Sequence, residues 1–432
     1  MENSYQQAPG TNERAAHMEY QELAKIYHMD ASPQRDSDNV RRAADRRNAE
    51  STFRLGYPST GDEFFIAVPR ELSVLNERVL TSEREISVQL KVLPGIAASA
   101  LLRSLVLDEV VSSNEIEGVR STRRQIKDAL GSTRKDASHR RFTELAMLYM
   151  DLADGNARMP ETPKDVRLIY DRVMDGEIGD KERLDGKLFR AEGVDVLNER
   201  NKVLHRGLEP ESKIIEAVER MLTIATSDKI PALYRAIAAH YLFEYAHPFY
   251  DGNGRTGRYL LELYLGVSLS AATTLSLSRI IAEHKRRYYK AFATVEDPLN
   301  HGELTHFVYT LLDLISVAQE GVFSRLASAT ESFAELSETM KRVEADLALK
   351  KKETDALFIL AQYETFGLFG DAPLPEIASR IGLKEQRARQ HMQALEQRGA
   401  VVKVRGRNPV VFALSDSFKN RYGIAPAWDV GQ

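Results

Sequence analysis

The stretch from His247 to Arg258, His-Pro-Phe-Tyr-Asp-Gly-Asn-Gly-Arg-Thr-Gly-Arg, constrains the fold more than any other part of the chain. Pro248 disfavours helix at the residue before it, so the apolar series Leu233, Ile237, Tyr241 that leads to Tyr245 has to stop there. Gly252 and Gly254 then permit turns in which successive N–H groups converge. An apolar segment resumes from Tyr259 to Leu265. Two helices joined by a tight, anion-seeking loop are expected, the second beginning near Gly254.

The start of that second helix turns unpaired N–H groups and the positive end of its dipole toward the loop. Arg255 and Arg258, three residues apart, occupy adjoining parts of one face and add permanent charge suited to a polyphosphate. Asp251 supplies an oxygen ligand beside such an anion, a setting that suits Mg²⁺. His247 is able to take a proton from an incoming hydroxyl near neutral pH. Phe249 is expected to point inward as an anchor.

A chain of 432 residues exceeds what one hydrophobic core usually serves, so two or three domains are expected. Hydrophobic residues at 43% and charged residues at 28% exclude a disordered or fibrous chain. A formal net charge of -4 gives no chain-wide attraction to nucleic acid or anionic membrane, so any such site has to be regional. The absence of cysteine excludes disulfides, thiolate zinc sites and cysteine nucleophiles. With no apolar run near twenty residues and no signal-like start, a soluble, cytoplasmic protein is expected.

Along the chain, residues 1–55 are polar with little periodicity and read as a flexible N-terminal arm; its arginines between Arg41 and Arg47 belong to a solvated tail or to an anion-binding arm. Residues 56–165 form a helical region in which Leu102, Leu105, Val106 and Val110 make one apolar stripe. Residues 166–325 form the core: a helix opening at Pro163 and ending at Val173 leads in, and the alternation Gly193-Val194-Asp195-Val196-Leu197 predicts a small hairpin between Gly186 and Gly207. Helices follow over 280–292 and 304–317, then a charged connecting helix over 326–352. Residues 353–432 read as helix, turn, helix and two short strands. The fold class is all-α with a small hairpin.

The twelve-residue loop closely resembles the signature of Fic-domain proteins. The resemblance implies a compact helical core with a hairpin flap, and transfer of AMP from ATP to a Ser, Thr or Tyr hydroxyl of a target protein or of the enzyme itself. Carried over by position, His247 is the general base and Asp251 holds Mg²⁺. Gly252, Asn253 and Gly254 form the anion nest, Arg255 contacts the phosphates and Arg258 grips the γ-phosphate. Thr256 and Gly257 complete the nucleotide-binding set. The intact Asp-Gly-Asn-Gly-Arg run favours AMP transfer over the phosphate- and phosphocholine-transferring branches. Gly186-Lys187-Leu188-Phe189-Arg190 followed by Gly193, Val194, Asp195 and Val196 resembles the flap that registers a target strand by main-chain pairing; an ordinary structural hairpin is the alternative. Arg287 to Phe292 resembles a family helix in which Tyr288 or Tyr289 walls the adenine pocket, unless both rings pack in the core.

Ser113-Asn114-Glu115-Ile116-Glu117-Gly118 resembles the family's inhibitory motif, which implies a brake: Glu117 pairs with Arg258 and blocks a productive ATP pose. The same Glu117 is compatible with a role in removing AMP from modified targets. At the C-terminus the helix, turn, helix and hairpin pattern resembles a winged helix, with Lys384, Arg387, Arg389, His391, Arg398, Arg405 and Arg407 on its last helix and hairpin tip. Duplex DNA through residues 384–407 and a protein or homodimer contact are both open there. A DNA-binding regulator whose core senses nucleotide is accordingly the reading from a second class. The partners implied are ATP, Mg²⁺ and a protein offering a hydroxyl, with no membrane.

Overall fold

The computed structural model describes residues 18–58, 63–130, 141–179, 182–197 and 203–427. It begins with α1 (Leu23–Met29), α2 (Arg35–Asn48) and the antiparallel pair β1 (Phe53–Pro58) and β2 (Glu63–Ile66). Most of the expected arm is therefore folded, and residues 1–17 lie outside the described residues. The reason is polar anchoring, which leaves no apolar period to read. The Asn39 amide donates to the carbonyls of Leu23 and Leu299, the Ala24 N–H donates to Asn300 at 2.8 Å, and Arg46 pairs with buried Glu303 at 2.8 Å.

The helical region continues with α3 (Arg70–Val92), α4 (Gly95–Ile116), α5 (Arg123–Leu130) and α6 (Thr143–Ala153). Helix α7 (Pro163–Val173) starts where the sequence predicts, closed by a reciprocal Thr162/Asp165 capping box with proline in its first turn. The hairpin forms as β3 (Asp195–Leu197) and β4 (Val203–Arg206), pairing Asp195 with Arg206 and Val196 with His205. Its predicted turn, 198–201, lies outside the described residues.

The central pair is α9 (Ala232–Ala246), preceded by α8 (Glu211–Ala225), and α10 (Asn253–Leu265). Both are buried nearly all round, because α9 lies between α8 and α10 while α10 meets α4 and α7. Then come α11 (Ala271–Thr274), α12 (Leu277–Glu283) and α13 (Lys285–Glu296). The single helix predicted over 280–292 is split at His284, whose N–H still bonds back to Ile280 and Ile281.

Helix α14 (Thr305–Leu347) runs 43 residues without a break. The boundary expected at 325/326 falls inside it, so core and connecting helix are one rod, packed along α3. The C-terminal part contains α15 (Lys351–Phe366), β5 (Asp371–Pro373), α16 (Leu374–Arg380), α17 (Glu385–Gln397), β6 (Val401–Arg405), β7 (Val411–Leu414) and α18 (Asp416–Tyr422). Its sheet has the order β5-β7-β6, leaving β6 at an edge. This part is not detached: α15 packs on α4 and α14, and one apolar cluster runs through both. A cavity of about 210 Å³ lies at the seam, between Ile96, Ala100 and Arg103 of α4 and Tyr363, Leu368 and Asp371. Among the described residues no helix is long and apolar enough to cross a membrane.

Candidate active site

The loop is held by its own residues before any ligand is considered. Helix α9 ends at His247, which adopts a left-handed conformation (φ 48°) with its N–H on the Phe243 carbonyl at 3.0 Å. Phe249 is fully buried as expected, stacked on Tyr170 at 3.6 Å between ring centres. The Asn253 side chain turns back and makes two bonds to the Phe249 backbone, at 2.9 and 2.7 Å. Gly252 sits at φ 78°, where a side chain is strained and an added Cβ would run into Met174. Arg190, entirely buried, ties the loop to the flap. Its guanidinium donates to the carbonyls of His247 (2.8 Å), Glu192 (2.6 Å), Leu208 (2.9 Å) and Ala246 (3.3 Å).

A cleft of about 350 Å³ opens on this loop, lined among others by His247, Gly254, Arg258, Glu117, Glu244 and Tyr289. Val196 of the flap and Tyr288 also reach it. Of the two tyrosines, Tyr288 is buried with its hydroxyl on His240 at 2.7 Å, while Tyr289 is 39% exposed and forms the rim. The His247 imidazole bonds to the Glu244 carbonyl, and its pKa falls to about 4, first through burial and then through the nearby His205. It is therefore neutral and able to accept a proton at pH 7.

Arg258 is buried, and each of its three guanidinium nitrogens makes a hydrogen bond. It donates to Glu117 Oε1 at 2.8 Å, to the Ser113 carbonyl at 2.9 Å and to Ser113 Oγ at 3.1 Å. Burial works against its charge, and the Glu117 carboxylate, with Tyr288 and Tyr289 beside it, together outweigh burial and raise its pKa. Glu117 caps α4 and Gly118 follows at φ 73°, which turns the chain away. Lys285 closes the same helix end by donating to the Ile116 carbonyl at 2.6 Å. Behind Arg258, Glu109 and Glu262 are fully buried and hydrogen-bonded to each other; burial raises both pKa values, and for Glu262 the neighbouring Glu109 raises it further.

Some expected residues stand elsewhere. Arg255 does not line the cleft: its guanidinium is buried on Glu177 at 2.9 Å, with Met174 Sδ at 2.9 Å. Thr256 and Gly257 are buried in α10, and the Gly257 carbonyl bonds to the His240 ring at 3.0 Å. Asp251 is exposed, with one carboxylate oxygen held by the Gly252 N–H at 2.7 Å. In the flap, Gly193 and Val194 precede β3, and Asp195 pairs with Arg206 at 2.9 Å.

Three groups at the site were not singled out from sequence. His205 of β4 places both ring nitrogens on acceptors, Tyr245 O at 2.8 Å and Glu296 Oε1 at 3.0 Å, with its ring 6.4 Å from that of His247. Glu244 carries a buried Oε1 that has no hydrogen-bond partner among the described residues. Arg190 is the third. Only Arg190 had a local signal, since it closes the run that resembles the flap.

Residues 160–265, which hold α7, the flap, α9, the loop and α10, match the Fic/DOC family. Over 127 residues the chain is 32% identical to a Drosophila ananassae protein named Protein adenylyltransferase Fic; the match takes in 28% of this chain and 23% of that protein. The chain thus spans about a quarter of the length of this curated relative. Among solved structures, a Fic family protein from Desulfovibrio desulfuricans has a TM-score of 0.47 at 15% identity, covering 81% of this chain and 97% of that one. Fic-1 from C. elegans has a TM-score of 0.41 at 19% identity, covering 60% and 74%.

Proposed function

We propose that this chain transfers AMP from ATP to a hydroxyl of a protein, and that the end of α4 restrains the reaction. The observation that carries the reading is the arrangement in one cleft of a neutral His247, the N-terminus of α10 and an arginine, Arg258, occupied by a carboxylate from another helix. In the reaction the acceptor oxygen bonds to the α-phosphorus, the bond from that phosphorus to the bridging oxygen breaks and pyrophosphate leaves. The alcohol proton passes to His247, whose hold on it strengthens as the triphosphate's negative charge comes near. The N–H groups at Gly254 and the Arg258 guanidinium stabilise the phosphates. Gly193 to Val196 offer the acceptor segment a strand to pair with, and Tyr289 walls the base.

Mg²⁺ belongs to this reading as a companion of the phosphates. Among the described residues no cluster of three His, Asp or Glu holds a metal alone, and exposed Asp251 supplies one carboxylate at the loop, the donor set that Mg²⁺ shares with phosphate oxygens and water. When bound it neutralises phosphate charge. Arg255 in this reading supports the loop through Glu177 and reaches phosphate only after that pair opens.

The restraint follows from Ser113 and Glu117 together engaging all three guanidinium nitrogens of Arg258, three of its five N–H donors. The test is to incubate the protein and its Glu117→Gly form with ATP and Mg²⁺ and look for a mass gain of one adenylyl group on the chain or on added protein. Gain that is larger in Glu117→Gly and lost in His247→Ala supports the reading. Equal labelling in the presence and absence of Glu117 removes the brake; no labelling in either removes the transfer. Release of free AMP from an AMP-modified protein favours hydrolytic removal of AMP, with water as the acceptor, at the same cleft.

A second reading concerns residues 384–407. Lys384, Arg387, Arg389, Arg405 and Arg407 are all exposed, on α17 and on the hairpin that flanks it. This surface fits the phosphates of duplex DNA. Salt-sensitive duplex binding, lost on replacing Arg387 and Arg389, supports it; binding that ignores both changes overturns it.

A further inference from the structure

Two helix ends that meet beside the cleft each break a local rule. A helix gathers negative charge at its last carbonyls, and α4 has no basic residue in its last turn to answer it. Helix α13 opens on Lys285, Arg286 and Arg287 with no acid in its first turn, where cations oppose the helix dipole. The two faults cancel across space. The Asn114 carbonyl takes the N–H groups of Glu117 and Val119, the Glu115 carbonyl takes that of Gly118, and the Ser113 carbonyl takes Arg258 at 2.9 Å. The Ile116 carbonyl, the last of α4, is left to the Lys285 ammonium at 2.6 Å. Arg287 turns elsewhere, to Asp313 at 2.6 Å. Lys285 makes no ion pair among the described residues, so its charge is directed at that carbonyl and at the Tyr289 ring, 5.8 Å away.

We infer that Lys285 is the positioning residue of the brake: its bond to the Ile116 carbonyl holds the last turn of α4 against α13, and with it the next residue, Glu117, on Arg258. The inference rests on the proposed AMP transfer and its restraint by Glu117, and adds the group that keeps that carboxylate in place. Arg258 does not suffice for this, because on that reading the γ-phosphate draws it away from both Ser113 and Glu117. The Lys285 bond lies outside that exchange. It also accounts for a run of cations at a helix start, where intrinsic preference disfavours them.

The test measures adenylyl gain on the full chain, with ATP and Mg²⁺, in the parent, Lys285→Met, Lys285→Arg, Glu117→Gly and Lys285→Met combined with Glu117→Gly. Lys285→Met keeps an unbranched stem over Tyr289 and removes the donor. Labelling should rise at least about threefold over the parent, following the fraction of chains in which Arg258 is free. Lys285→Arg retains a charged donor and should stay within about twofold of the parent. In Glu117→Gly no carboxylate is left to hold, so adding Lys285→Met should change labelling by less than about twofold. A merely structural lysine would lower labelling in both backgrounds instead. Unchanged or lower labelling in Lys285→Met, an equal rise in Lys285→Arg, or a rise of the same size with Glu117 already removed overturns the inference while the transfer reading stands. No labelling of Glu117→Gly removes the transfer reading itself, and this inference with it.

Discussion

Glu117→Gln keeps the shape of the side chain and its ability to accept a bond from Arg258, but removes the charge. The two groups meet at 2.8 Å, with Arg258 buried and the Glu117 side chain 28% exposed. Charge centres about 4 Å apart at an effective dielectric of about 20 attract by about 4 kcal/mol. Removing one partner of a buried pair costs about 3–5 kcal/mol, because the other charge is stranded. Water at the Glu117 end screens part of this, and the two Ser113 bonds to Arg258 persist, so about 2–3 kcal/mol is expected. At about 2.1 cal/mol/K per residue, a chain of 432 residues unfolds with an entropy of about 0.9 kcal/mol/K, so Tm drops by about 3 °C. ATP should reverse the loss. On the proposed reading its γ-phosphate would take the place of the missing carboxylate, and ligand at a hundred times Kd would restore about 2.7 kcal/mol, whereas in the parent protein the same ATP would first have to break the ion pair. The assay is a thermal melt of both proteins with and without Mg²⁺ and ATP. The reasoning is refuted if Glu117→Gln melts with the parent, or if ATP raises both midpoints equally.

Other consequences are equally open to measurement. Arg190→Met leaves four carbonyls without their guanidinium donor, those of His247, Leu208 and Ala246 at least partly buried, and should cost about 2–4 kcal/mol in denaturant unfolding while lowering labelling, because His247 loses its carbonyl tether. Burial pulls the His240 pKa down to about 3, so below the unfolded value near 6.5 the unfolded chain binds a proton that the native one refuses. Stability should therefore fall by about 1.4 kcal/mol per pH unit from that point toward pH 3, and His240→Gln should remove this part of the slope. Gly252→Ala should lose about 1–3 kcal/mol, since the position needs a positive φ and Met174 fills the space, as read by chemical unfolding.

What could be read from sequence was what lies close together in it. The loop is contiguous, so the end of one helix at His247, the start of the next at Asn253 and the inward Phe249 were all visible in advance. The Arg258–Glu117 contact was also anticipated, because both ends carry a motif. His205, Glu244 and Arg190 were not, since each matters only through partners brought near by folding: Arg190 reaches backbone 57 residues away. Arg255 shows the converse. A cation three residues from Arg258 reads as a second phosphate ligand until Glu177, from the turn after α7, is seen to occupy it. Residues 18–55 fold where an arm was expected because their anchors, Asn39, Arg46 and Asn300, are polar and leave no apolar rhythm.

Helix α4 joins two distant places by a single stiff element. Its first turns form one wall of the seam with the C-terminal part, and Glu117 terminates its other end. At 1.5 Å per residue its 22 residues span about 33 Å, so a tilt of about 5° about the midpoint shifts either tip by about 1.4 Å. A bond of 2.8 Å stretched by that amount is no longer a bond. A push at the seam thus arrives at the guanidinium with its travel intact, as at the far arm of a seesaw.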